Sequence, residues 1–260
     1  MYQISLNLTG KIALVTEGAY GIGKAIAEKL NSRGATVVVV ASVPAPEPTP
    51  YHFIDGNLSQ GDQAQNIINT IVEQFGRIDI LINNIGGTSS PMGGFSVLSE
   101  QDWEKDLQHN LLAPVRLDKA VVPGMLERKS GVVIHISSLN SLYPLYASAF
   151  TYGVAKAALN SYSKTLAREV TSQGVRVVTV SPGVVATESM NDYLANIARN
   201  ASINIQEAAQ RLMNGLGGVP IGRMAEPSEI ANLVAFLVSA EASYISGVNY
   251  VVDGATVPTL

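Results

Sequence analysis

Tyr152 and Lys156 lie four residues apart in the stretch Thr151–Ala158, and Ser138 lies fourteen residues before the tyrosine at the end of an apolar run. The stretch from 151 reads as helix, and positions i and i+4 of a helix share a face, so the Lys156 ammonium can lie close to the Tyr152 phenol. An unperturbed phenol titrates near ~10. A neighbouring cation favours phenolate and lowers that value, making the group a general acid or base near neutral pH. Ser138 would hydrogen-bond the reacting oxygen. The same spacing occurs at Tyr20 and Lys24, but that pair straddles two glycines and no serine-bearing strand precedes it. Taken alone, the later pair also reads as an aromatic on a helix face and a solvated lysine. The surrounding elements have to decide.

Lys11–Thr16 is a short apolar run entering a glycine-rich turn, and Gly21–Arg33 carries Ile22, Ile26, Ala27 and Leu30 at helical spacing until Gly34 stops it. Thr36–Val40 is β-branched without polar alternation, the mark of a strand buried on both faces of a parallel sheet. Further β-like runs at His52–Ile54, Ile78–Asn83, Gly131–Ile136, Arg176–Ser181 and Asn249–Val252 alternate with helical patterns at Asp62–Phe75, Ser99–Glu127, Thr151–Ser172 and Ser228–Val238. This alternation predicts an α/β, doubly wound Rossmann-type fold, with a mostly parallel sheet of about seven strands in a single domain spanning 1–260. The alternating prolines of 43–50 cannot form a crossover helix between the second and third strands. Residues 186–218, with short helices expected around Asn191–Arg199 and Gln206–Asn214, follow a strand's C-terminal end, where such sheets bind ligands. They are the candidate substrate lid.

Composition narrows the functional classes. Net charge is −4 with no basic cluster, which argues against a nucleic-acid backbone as partner. There is no cysteine, and His52, His109 and His135 are too dispersed for a metal-ligand pattern, so no metal is expected. No stretch reaches the ~18 apolar residues of a membrane span and the first ten residues do not read as a signal peptide, so a cytoplasmic protein is expected. Charged residues are only 15% and hydrophobic residues 47%, which suggests that some outer helices are buried in a homo-oligomer.

Together these residues resemble the short-chain dehydrogenase/reductase family, and the likeness runs over nearly the whole chain in the expected order. The family's Thr-Gly-x-x-x-Gly-x-Gly turn appears as Thr16-Glu-Gly-Ala-Tyr-Gly-Ile-Gly23, its Asn-Asn-Ala-Gly strand end as Asn83-Asn-Ile-Gly86, and its Tyr-x-x-x-Lys helix as Tyr152–Lys156. Ser138 ends the run Ile134–Ser138, Ser181–Thr187 looks like the family's Pro-Gly segment, and Asn110 matches its helix-borne asparagine. The resemblance implies a tetrameric NAD(P)-dependent oxidoreductase that passes a hydride between nicotinamide and a ketone or secondary alcohol. In that scheme Tyr152 is the general acid/base and Ser138 polarises the carbonyl. Lys156 holds the phenol's pKa down and bonds the nicotinamide ribose, while Asn110 anchors a water of the proton relay.

For the cofactor the resemblance implies Thr16, Gly18, Tyr20, Gly21, Ile22 and Gly23 around the pyrophosphate, with helix N-terminal amides as donors. It places Ala41–Ser42 at the adenosine ribose and Pro182, Gly183, Val185 and Thr187 by the nicotinamide, and counts Asn57, Leu58, Asn84, Gly86, Tyr152 and Lys156 among the cofactor contacts. Substrate candidates are Leu139, Asn140, Tyr146, Met190 and Tyr193.

Two departures stand out. Glu17 replaces the turn's first glycine, placing a side chain and a negative charge near phosphate. Two unit charges 4 Å apart interact by about 4 kcal/mol at an effective dielectric of ~20. The side chain can also turn aside or accept a ribose hydroxyl. At Ala41–Ser42 the acid that selects NAD is absent, which leans toward NADP, yet Tyr20 and Ser42 stand where NADP-preferring members often carry Arg. The alternative function is a nucleotide-binding or sensing protein on the same fold.

Overall fold

A computed structural model describes residues 6–44, 49–59, 61–145 and 147–258. Its frame is one seven-stranded sheet built from β1 (Ile12–Thr16), β2 (Thr36–Ala41), β3 (His52–Asp55), β4 (Ile80–Asn83), β5 (Gly131–Ile136), β6 (Val175–Pro182) and β7 (Asn249–Val252). The spatial order is β3-β2-β1-β4-β5-β6-β7 and every pairing is parallel. The order reverses between β1 and β4, which opens a crevice at the C-terminal ends of those strands.

Both faces of the sheet are covered, as the unbroken β-branched run of β2 required. Ala13, Val15, Val37 and Val39 pack against α1 (Gly21–Ser32) and α8 (Pro227–Val238), with Ile26, Leu30 and Val234 fully buried. Leu14, Val38, Val40 and Leu81 point the other way, onto α2 (Gly61–Phe75), α4 (Ala113–Glu127) and α5 (Phe150–Val170). Each fully buried Leu or Ile contributes about 1.5–3 kcal/mol relative to exposure. Among the described residues between β2 and β3 there is no helix.

The expected continuous helix over 99–127 is broken into three parts. α3 (Glu100–Leu107) starts in a Ser99/Asp102 capping box, residues Gln108–Leu112 form a π-helical turn, and α4 resumes beyond it. Pro114 explains the break, because it has no N–H to offer the Asn110 carbonyl four residues back. Residues 186–218 hold two helices longer than their periodicity suggested, α6 (Glu188–Ala201) and α7 (Ile205–Gly215), packed on a small cluster of their own around Leu194, Ala198 and Ala208.

Candidate active site

The C-terminal ends of β1, β4, β5 and β6 surround a cleft of about 410 Å³. Ser138, Tyr152 and Lys156 line it together with Tyr20, Gly21 and Ile22. Pro182, Gly183, Val185 and Thr187 line it as well, as do Asn84 and Gly86. The glycine turn and the Ser/Tyr/Lys group, about 130 residues apart in the chain, thus face one space.

Lys156 is 2% exposed, and its Nζ donates to the Ile136 carbonyl at 3.0 Å and the Ile85 carbonyl at 3.4 Å. An ammonium carries three donors, so one remains for the cleft. Burial pulls its pKa down from 10.5 to about 7. Nζ lies 5.8 Å from the centroid of the Tyr152 ring. Burial, helped by the nearby Asp106 carboxylate, pushes the half-buried Tyr152 phenol up, and only the hydrogen bond with Ser138 opposes this. This corrects the expectation that Lys156 depresses the phenol: a lysine this poorly solvated is itself only partly charged near neutral pH.

Asp106 was not foreseen. It is 2% exposed, and its carboxylate accepts from Thr88 at 2.8 Å, Ser90 at 3.1 Å and Thr151 at 2.5 Å, tying the start of α5 to the loop after β4. In sequence it is one acid in a polar helical stretch, with nothing to separate it from a solvated one. Asn110, fully buried on the π-helical turn, has its side chain committed. Oδ1 accepts from the Gly87 N–H at 3.0 Å, and Nδ2 donates to the Gly87 carbonyl at 2.8 Å and the Asp106 carbonyl at 3.0 Å. The side chain therefore holds the loop; a water would have to use the Asn110 backbone carbonyl.

The glycine turn divides by role. Thr16 is buried and its hydroxyl accepts from the Asn84 and Ile85 N–H groups, both at 2.9 Å, while Asn84 donates back to the Thr16 and Glu17 carbonyls at 3.1 and 3.2 Å. A Cβ at Gly23 would lie 2.4 Å from the Glu17 carbonyl, and one at Gly18 3.0 Å from Val39, so these two glycines serve close packing. Gly21 has φ +57 and begins α1. A Cβ at Gly86 would lie 2.5 Å from the Lys156 Nζ, so glycine there keeps the ammonium open to the cleft.

Glu17 adopts φ 48, the left-handed region that suits the family's glycine, and its N–H donates to the Val40 carbonyl at 2.7 Å. Its half-buried carboxyl reaches the Ser42 backbone; burial raises its pKa and that hydrogen bond lowers it. The side chain thus reaches the end of β2, and Glu17 lines the cleft alongside Tyr20, Gly21 and Ile22.

Other candidates fall outside the cleft lining. Ala41 and Leu58 are fully buried core side chains, and Asn57 caps the Ser59 N–H at 3.0 Å beside a neighbouring cavity. Ser42 is exposed at the strand end. Leu139 is buried, Asn140 lines a separate cavity of about 160 Å³ against α5, and Met190 packs into the α6–α7 cluster. Tyr193 is half-buried on α6, and Tyr146 lies outside the described residues. No periodicity could separate the directions of Leu139 and Asn140, because Leu139–Ser141 is a 3-10 turn. Ile136, Ser137 and Ser189 line the cleft unforeseen, with the strand ends of β5 and the α6 start as the available signal.

The cleft suits a dinucleotide on its own chemistry: helix-start amides on one wall, a buried ammonium with a spare donor on another, and glycine where a side chain would fill the space. A family model described as Enoyl-(Acyl carrier protein) reductase matches residues 18–255. The chain is 36% identical to 3-oxoacyl-(acyl-carrier-protein) reductase of Vibrio cholerae, covering 96% of this chain and 98% of the relative. It is 31% identical to sorbitol-6-phosphate 2-dehydrogenase of Klebsiella pneumoniae, covering 96% and 97%. L-sorbose reductase of Gluconobacter frateurii, solved with NADPH and L-sorbose, superposes with a TM-score of 0.91 at 29% identity over 99% of this chain and 100% of that one. A crevice built by these residues in this order, matched from end to end by such relatives, places the chain in the short-chain dehydrogenase/reductase family, as an NAD(P)-dependent oxidoreductase.

Proposed function

We propose that the protein interconverts a ketone and a secondary alcohol, with Tyr152 as general acid/base. The observation that carries this reading is the convergence of Ser138, Tyr152 and Lys156 on the cleft wall facing the glycine turn. A nicotinamide cofactor bound there supplies or takes the hydride. Lys156 offers its spare donor to the nicotinamide ribose. Ser138 and Tyr152 hydrogen-bond the substrate oxygen, and Tyr152 gives its proton to that oxygen as negative charge develops. The raised phenol pKa keeps this proton in place at neutral pH, which suits the reducing direction. Lys156, held by the carbonyls of Ile136 and Ile85, would stabilise the phenolate that remains once the proton has left, in the fraction of molecules where its amine is protonated. Asn110 positions Gly86–Gly87 behind them.

The missing acid at Ala41–Ser42, and the NADPH in the L-sorbose reductase complex, support NADP(H) as the cofactor. The relatives' names point to a 3-oxoacyl group on acyl carrier protein, a sorbitol phosphate and L-sorbose, and their shared chemistry is a ketone/secondary alcohol pair. In the same reading 1–260 is one domain and 186–218 its lid, resting on their separate small core. No described helix is long and apolar enough to cross a membrane, and the working compartment in this reading is the cytoplasm. Exposed apolar side chains such as Phe95 (78%) and Ile221 (58%) support a homo-oligomer, a tetramer in the family's manner. Light scattering that gives a monomer at micromolar concentration would refute it.

The competing reading, a protein that senses the nucleotide with incidental catalysis, is favoured by one feature, the carboxylate of Glu17 in the cofactor cleft. Fluorescence titration with NADPH and NADH, followed by a ketone screen that monitors nicotinamide absorbance, separates the two. Turnover of any ketone at enzyme-like rates supports the oxidoreductase; tight binding without turnover supports the sensor.

A further inference from the structure

The amide that should meet the cofactor's pyrophosphate already holds an anion, and the anion belongs to the chain. Gly21 N–H, at the first position of α1, donates to Glu188 Oε2 at 2.9 Å. α1 has no acid in its first turn, and its N-cap residue Tyr20 gives no side-chain cap bond. The helix start is therefore capped from 167 residues away. A carboxylate at this point is stabilised by the N-terminal dipole in the way a phosphate would be.

Glu188 is also the first residue of α6 and follows directly on Thr187, whose hydroxyl caps that helix at the Met190 N–H. The same segment crowds the glycine turn, since a Cβ at Gly21 would lie 3.1 Å from Thr187 Cγ2. On its other side the segment is tied down by the Ala186 N–H to Ala225 carbonyl bond at 2.8 Å and the Ala225 N–H to Val184 carbonyl bond at 2.9 Å. Beyond Glu188, α6 and α7 pack chiefly on each other. One exposed carboxylate thus straps the start of this helical pair to the start of α1.

We propose that Glu188 is a resident competitor for the pyrophosphate position, and that the cofactor displaces it, releasing the α6–α7 pair from the α1 N-terminus. This rests on the dinucleotide reading above and adds to it. A site held by an internal anion shows an affinity reduced by the fraction of molecules in which that anion is away. A surface carboxylate at a helix N-terminus corresponds to roughly a fivefold effect.

The test is titration of NADPH and NADH by fluorescence into wild type, Glu188→Ala and Glu188→Gln, with amide exchange at Gly21 followed in the cofactor-free proteins. Removing the carboxylate should tighten binding by about fivefold and speed exchange at Gly21; Glu188→Gln, which keeps a neutral acceptor, should fall between. Glu188→Gln also covers the case in which alanine unfolds the helix start. Binding that is unchanged or weaker in both variants overturns the proposal, because Glu188 would then be a bystander or a contact of the bound cofactor. Unchanged Gly21 exchange in Glu188→Ala overturns it as well. Failure of every form, wild type included, to bind either nucleotide would remove the dinucleotide reading itself and the competitor with it.

Discussion

Replacing Lys156 by methionine should stabilise the cofactor-free fold near pH 6 and abolish part of its pH dependence. Lys156 is 2% exposed and its pKa falls from 10.5 to about 7 because burial penalises the ammonium. The unfolded chain therefore binds more protons between these values, and wild-type stability must rise with pH across that window. The shift of about 3.5 units at 1.36 kcal/mol each corresponds to about 5 kcal/mol held against folding below pH 7. Between pH 6 and 9.5, linkage gives a gain of about 3 kcal/mol from this group alone. Methionine is unbranched and one heavy atom shorter, and it loses the charge. It also loses the bonds to the Ile136 and Ile85 carbonyls, each about 1 kcal/mol, so the net gain at pH 6 is about 2–3 kcal/mol. Urea unfolding of both proteins without cofactor, from pH 6 to 9.5, reads the difference directly. Parallel curves, or a variant less stable than wild type at pH 6, would show that burial does not penalise the Lys156 ammonium as described.

Other perturbations probe other parts of the site. Glu17→Gly should relieve the left-handed strain at φ 48, adding about 1 kcal/mol in thermal unfolding. Because its carboxyl reaches the Ser42 backbone, which the proposed reading sets at the adenosine, the same change should improve NADPH binding more than NADH binding, less so at high salt; equal changes for both would show that it does not approach the 2′ position. Asp118→Asn should cost about 2–4 kcal/mol in urea unfolding, because the buried carboxylate accepts from Asn83 at 2.8 Å and from His135 and Tyr162 at 2.9 Å each. Asn110→Ala should lower kcat by more than tenfold with little change in cofactor Kd, and should speed amide exchange at Gly87, whose N–H it holds. A loss confined to Kd would move Asn110 from the reacting end to the cofactor's binding surface.

Much of the frame was legible because its signals are periodic. The β-branched run 36–40 required a strand covered on both faces, and the turn at 16–23 required a strand before it and a helix after it. The break at 108–112 was written in Pro114 but hidden by the apolar rhythm on either side, which continues through a π turn. The Ser138, Tyr152 and Lys156 positions were legible through a strand end and a helical i, i+4 relation. The electrostatics were not: spacing shows that Lys156 neighbours Tyr152, but only burial shows that the lysine is desolvated and the phenol pushed up. Asp106 and Glu188 escaped for a related reason, since each acts on a residue 45 or more positions away and an acid on a polar helix turn carries no mark of its distant partner. Leu139 and Asn140 were misdirected because irregular backbone has no period from which to read a side chain's direction.

The measurement that bears most directly on the central claim compares wild type with Tyr152→Phe for NADPH-dependent reduction of a ketone substrate, alongside NADPH affinity and unfolding free energy. The account predicts nearly unchanged folding and cofactor affinity, because the ring is kept, and a collapse of turnover by at least ~100-fold, because the transferable proton is gone. Turnover within a fewfold of wild type in a folded, cofactor-binding Tyr152→Phe protein would contradict it.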